Sequence, residues 1–142
     1  MKFRYFLLAD AANAGPDGKV NMLGAGIQIV NLRTLPALQP VAIVGSIEGT
    51  IDEAGTHPLE ITIEGPEGKV EVAKGDLPFA DNAVALGADP ELPIAANFQI
   101  ALPLLFKAEG LRRLKVRYGR IRATWAFRVR LIDDQSPNSE AE

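Results

Sequence analysis

The feature that most constrains this chain is a two-residue rhythm of apolar and polar side chains, repeatedly broken by Gly, Pro, Asp and Asn. Leu59, Ile61 and Ile63 alternate with Glu60, Thr62 and Glu64. Leu114, Val116 and Tyr118 alternate with Arg113, Lys115 and Arg117. Ile121, Ala123, Trp125, Phe127, Val129 and Leu131 alternate with Arg122, Thr124, Ala126, Arg128 and Arg130. A period of two places the apolar set on one face of a strand and the polar set on the other. No stretch of helix length keeps a 3.6-residue period between recognisable caps.

The breaks are turns with a mechanism. In Gly15-Pro16-Asp17-Gly18, Pro sets φ and Gly takes a positive φ. Gly65-Pro66-Glu67-Gly68 closes the clearest hairpin, leading into Val70-Glu71-Val72. Asp52-Glu53-Ala54-Gly55-Thr56 is a further turn, and Pro36 to Pro40 a loop. Val41 to Ile51 puts Val41, Ile43, Ile47 and Ile51 on one face. Val20 to Leu32 is strand-like, but Gly24 and Gly26 mark a bulge or a bend between sheets. Residues 75–93 are the longest irregular segment, with Pro78, Pro90 and Pro93. Trp125, among Ile121, Phe127 and Val129 at period two, reads as a core residue.

These runs give about eight strands at sandwich-like spacing. The expected fold is all-β, a two-sheet β-sandwich of mostly antiparallel strands, with a closed barrel as the alternative. A chain of 142 residues that is 47% hydrophobic can bury a core without staples, so disorder is excluded. The absence of Cys excludes disulfides and Cys-based zinc sites. One domain over 1–132 is expected, followed by a polar, disordered tail over 133–142. The apolar run Tyr5–Ala9 before Asp10 is too short for a signal peptide, and no run approaches a membrane span. A soluble cytoplasmic protein is the expectation.

The opening runs Leu7-Leu8-Ala9-Asp10-Ala11-Ala12, then Gly18-Lys19-Val20-Asn21-Met22-Leu23-Gly24-Ala25-Gly26. It resembles a family of small bacterial β-sandwich proteins known only as a domain of unknown function. There, a first strand ending LxDxA leads through a turn to GKxNxLG. The segments Leu59 to Gly68 and Phe127-Arg128-Val129-Arg130-Leu131 are also similar. The resemblance implies the fold and assigns no catalytic residue. Within the motif, Asn21 is expected to bond local backbone. The spacing is not that of a phosphate-binding loop.

Catalytic chemistry finds little footing. His57 is the only imidazole, in an expected surface turn beside Asp52 and Glu53, with no nucleophile at triad spacing. Asp52, Glu53 and His57 match no metal motif, and neither do Asp76, Asp81, Asp89 and Glu91. No enzyme activity, cofactor or metal is expected.

Charge layout is more informative than net charge, which is only −3. Gly110 to Leu131 holds Arg112, Arg113, Lys115, Arg117, Arg120, Arg122, Arg128 and Arg130 and no acid. Glu48 to Glu91 holds eleven acids against Lys69 and Lys74. Alternation places Arg113, Lys115, Arg117, Arg122, Arg128 and Arg130 on one outward face, the candidate interaction face. Three readings follow. The basic strands pair with Glu60, Glu64 and Glu71 within the fold. The basic face meets the acidic face of another copy, head to tail. Or the arginines hold a polyanion. The expected function is a non-catalytic interaction or structural module that self-associates or docks on a protein partner. Polyanion or nucleic-acid binding is the alternative. It is less favoured because Tyr118 and Trp125 fall on the apolar face, away from any base. No membrane partner is expected.

Overall fold

The alternating runs become ten strands in the computed structural model, which describes residues 1–80 and 89–132. The expected tail over 133–142 lies outside the described residues. The strands are β1 (Lys2–Ala9), β2 (Ala11–Ala14), β3 (Val20–Leu23), β4 (Ile29–Leu32) and β5 (Ala37–Gly49). A 3-10 turn at Ile51–Glu53 follows, then β6 (Gly55–Gly65), β7 (Gly68–Phe79), β8 (Ile94–Phe106), β9 (Gly110–Tyr118) and β10 (Ile121–Leu131).

Three strands in the order β1-β5-β8 make one sheet, and five in the order β4-β10-β9-β6-β7 make the other. The strands β2 and β3 form a separate two-stranded ribbon. Every pair is antiparallel except β4 with β10. The two larger sheets pack face to face as a β-sandwich. Phe6, Leu8, Val41, Ile43, Ile47 and Phe106 from the smaller sheet meet Ile61, Leu114, Val116, Tyr118, Phe127 and Val129 from the larger. Each such side chain contributes about 1.5–3 kcal/mol on full burial.

The fold departs from the sequence reading at definite places. Val41 to Ile47 is buried without interruption. Its inner residues face the larger sheet, and outward Ala42 and Val44 pack with Ala12, Val20 and Met22 of the ribbon. Both faces are therefore covered, and the alternation stops being visible as exposure. Ile51 leaves the strand and stays 44% exposed in the 3-10 turn. The strand β5 starts at Ala37, because Pro40 sits opposite Pro103, where neither residue has an N–H to offer. Likewise β7 continues to Phe79, into the segment expected to be irregular.

Val20 to Leu32 is two strands in two sheets. Gly24 has φ +60°, and a Cβ there would meet the Asp10 carboxylate at 2.0 Å. The backbone N–H groups of Gly26 and Ile27 then donate to the Leu8 carbonyl at 2.8 and 2.9 Å. The glycines thus carry the chain from the ribbon across the sandwich edge to β4. Asn21 donates to the Asn13 side chain at 3.0 Å, a cross-strand pair rather than the expected backbone bond. Trp125 packs against the core half-buried, and its Nε1 donates to the Ile27 carbonyl at 2.7 Å.

Candidate interaction face

The strands β6, β9 and β10 are consecutive in the larger sheet, so acidic and basic runs lie side by side. Glu60 faces Arg117, Thr62 faces Lys115, and Glu64 faces Arg113 across the β6–β9 ladder. Lys115 Nζ lies 2.8 Å from Glu64, and Arg117 Nη2 lies 3.4 Å from Glu60. The Lys115 hydrogen bond holds the Glu64 carboxyl below the ordinary carboxylate range, against a smaller opposing effect of burial. These pairs are exposed, so solvent and salt screen them. The pairing within the fold accounts for Lys115 and Arg117.

It does not account for β10. Arg122 stands opposite Arg117, Arg128 opposite Leu111, and Arg130 beside Asn31 of β4. Among the described residues, none of Arg122, Arg128 and Arg130 has an ion pair. All three are exposed. On the outward face Lys115 and Arg117 are therefore paired with acids of β6, while Arg113 of β9 and, along β10, Arg122, Arg128 and Arg130 have no ion pair among the described residues. A shallow depression of about 370 Å³, lined by Glu60, Thr62, Lys115, Arg117, Arg122 and Thr124 among others, lies between the two zones.

Arg112 takes a different course. It shares parity with Leu114, Val116 and Tyr118, so it points into the sandwich and is 1% exposed. Its Nη2 donates to Glu67 at 2.5 Å and to the Ala108 carbonyl at 2.7 Å, and its Nη1 donates to the Gly110 carbonyl at 3.0 Å. The guanidinium lies 5.2 Å from the Phe106 ring centre, within cation–π range. Burial pushes the Glu67 carboxyl up. The N–H of Lys107, Glu67's own N–H and Arg112 outweigh it and hold the carboxyl below its ordinary value. Period-two parity in Leu111-Arg112-Arg113-Leu114 was the signal that could have placed Arg112 inside.

His57 lies on β6 rather than in a surface turn. Its ring meets Tyr118 edge-on at 5.3 Å, and Nε2 is 3.0 Å from the Glu53 carbonyl. The Glu53 carboxylate is occupied by the Met1 ammonium and the Thr50 backbone. Among the described residues no group of three His, Cys, Asp or Glu converges on one point. Asp81, one of the four acids weighed for a cation, lies outside them. No helix of the described residues is long and apolar enough to cross a membrane.

A family model of unknown function, DUF6941, matches residues 4–130. The chain belongs to this family. The match spans nearly all of the sandwich, and DUF6941 is a family of unknown function. No curated protein matches the chain. Among solved structures, a beta-glucosidase from Listeria innocua in complex with glucose superposes with a TM-score of 0.49 at 12% identity. The same enzyme in complex with gluconolactone gives a TM-score of 0.48 at 12% identity. In both, the match covers 88% of this chain and 16% of the enzyme's length.

Proposed function

We propose that the protein is a non-catalytic, cytoplasmic interaction module that docks on a protein partner, a second copy included, through the arginine-lined β10 side of the larger sheet. The observation that carries this reading is the uneven pairing of the face. Lys115 and Arg117 of β9 pair with acids of β6, while Arg122, Arg128 and Arg130 of β10 have no ion pair among the described residues. Uncompensated arginines on a rigid sheet steer an acidic surface and fix its register. The engaged state of Glu53 and the lodging of His57 against Tyr118 support a structural role for those residues.

The test is light scattering on the eluting protein, with affinity capture from a cell extract, at low and at high salt. An assembly or captured partner that is released by salt and lost in Arg122→Glu/Arg128→Glu is expected. A monomer at every salt concentration that captures nothing overturns the reading. A polyanion on the same arginines is the second reading, supported by the same lack of acidic partners. It requires binding to polyphosphate or nucleic acid with a steep salt dependence.

A further inference from the structure

The two sheets close on one side of the sandwich and stand open on the other. On the closed side β1 runs beside β10, and the Leu8 carbonyl accepts the N–H groups of Gly26 and Ile27. On the other side the edge strands are β7 and β8. Between them lies a cavity of about 420 Å³ lined by Ile63, Val70, Val72, Leu102, Leu104 and Phe106. Lys107 and Arg112 line it at the Phe106 end.

Val70 shows that this is a gap in the core and not a surface dimple. It stands opposite Ile63 in the β6–β7 ladder, and Ile63 shares parity with the buried Leu59 and Ile61. The Val70 side chain therefore points into the sandwich, yet it is 49% exposed. The ladder shifts register between Ile61 and Thr62, and Val72 is the extra residue of that bulge. A bulge bends its strand, which accounts for the parting of β7 from β8 here. Farther along β7, Phe79 is fully buried and the interior is closed.

Neither edge suits a further strand. Pro103 stands opposite Pro40, a pair that cannot exchange N–H bonds. The backbone of Pro103 therefore faces the free edge of β8 and offers no donor there. On β7 the bulge interrupts the row of edge groups. What the opening presents is a line of apolar side chains. Its charges are mostly committed. Glu67 accepts from the Lys107 N–H and from Arg112. Lys69 and Glu71 stand opposite Glu64 and Thr62, on the outward face of the larger sheet. The Lys107 side chain is exposed and has no ion pair among the described residues.

We infer that this opening binds a monocarboxylate with an unbranched apolar chain. The chain lies between β7 and β8, and the carboxylate meets Lys107. The cavity has the size of a small-molecule site and the usual mix of apolar walls with few charges. From Leu102 to Phe106 the strand rises about 13 Å, the length of an extended chain of about ten carbons. The site is separate from the β10 arginines, so the inference goes beyond the docking function proposed above.

The probe is decanoate, kept below its micelle-forming concentration and titrated into the whole chain, with side-chain methyl groups followed by NMR. Shifts are expected at Ile63, Val70, Val72, Leu102 and Leu104, and not at Leu23, Leu38 or Leu92, which are exposed elsewhere. Affinity should fall about fourfold for each methylene removed, so hexanoate should bind roughly two-hundredfold more weakly. Decylamine, with the opposite charge, should bind about tenfold more weakly than decanoate, and Lys107→Glu should reverse that order. Val70→Trp fills the opening from a half-exposed position, so it should fold and lose about tenfold in affinity for decanoate. Arg122→Glu/Arg128→Glu should bind decanoate as the wild type does, and a loss there overturns the inference. So does the absence of methyl shifts. Shifts shared equally by Leu23, Leu38 and Leu92 mean an adventitious additive only, and also overturn it. Equal binding of decanoate and decylamine overturns it because the head group is then not read. A dimer that protects the same methyls without ligand assigns the opening to a second copy and overturns it too.

Discussion

Arg112 and Glu67 join the start of β9 to the neighbouring β6–β7 turn at one end of the larger sheet, through a 2.5 Å ion pair whose cation is buried and whose anion is one-quarter exposed. The asymmetry decides which partner is harder to remove. Without Glu67, a buried guanidinium keeps only two carbonyls and an aromatic face. Breaking a buried pair in this way costs about 3–5 kcal/mol. Glu67→Ala is expected near the lower bound, because the site reaches solvent on the Glu67 side. Adding Arg112→Met should recover part of the loss, leaving the double variant more stable than the sum of the singles. Urea denaturation of the four proteins measures this, and strict additivity would show that the two residues do not act as a pair.

The same carboxylate makes stability sensitive to acid. The folded-state value for Glu67 lies below the ordinary one. Its contribution is therefore complete above the ordinary carboxylate range and disappears as pH falls through the lower, folded value. Wild-type stability should hold from neutral pH to the top of that range and then decline. Glu67→Gln should start lower and decline less steeply in acid. Parallel acid limbs for the two proteins would remove Glu67 from the account.

Tyr118 ties the face to its edge strand. Its ring is fully buried, and its hydroxyl donates to the Leu77 carbonyl of β7 at 2.6 Å. Tyr118→Phe keeps the ring and removes this hydrogen bond, at an expected cost of about 0.5–1.5 kcal/mol. Amide exchange should accelerate near Leu77 more than in β10. A uniform acceleration would mean that the hydroxyl supports the whole fold and not this junction.

How much of this was legible in the sequence depends on how many neighbours a strand has. The strands β6, β9 and β10 have one covered and one open face, so alternation named their inner and outer residues correctly. The strand β5 is covered twice, once by a ribbon that pairs far from it in sequence, so its pattern misleads. Sandwich architecture and the outward arginines could be read from local spacing. That β6 lies beside β9, which settles the fate of Lys115 and Arg117, depends on strand order, and period two carries no information about order. Parity kept Arg112 off the outward face in the sequence, but that Glu67 of the β6–β7 turn would meet it depends again on strand order.

Gly45 offers a steric test of the smaller sheet. Phe98 is its cross-strand partner on β8 and lies over it, so a Cβ at Gly45 would fall 2.3 Å from the Phe98 ring. Gly45→Ala is expected to cost about 1–3 kcal/mol as overpacking. Phe98→Leu in the same chain should recover part of that loss, read from paired thermal melts. If the second substitution only adds to the damage, the strain lies in the backbone and not in the ring contact.

The last expectation separates stability from binding on the candidate face. Arg117 and Arg122 are directly opposed across the β9–β10 ladder, and only Arg117 has an acid, Glu60, within reach. Like charges in that position destabilise a sheet by about 0.2–1 kcal/mol. Arg122→Glu replaces the repulsion with a cross-strand pair, so it should stabilise the isolated protein by a comparable amount. The gain should shrink with added salt, since the pair is exposed and the Debye length is about 8 Å at physiological ionic strength. The same substitution should abolish docking, because it reverses the charge of an arginine that has no ion pair on the candidate face. A variant that is more stable and no longer binds would mark Arg122 as held there by function against the preference of the fold. A variant that loses stability, or that binds as before, would take Arg122 out of the interaction face.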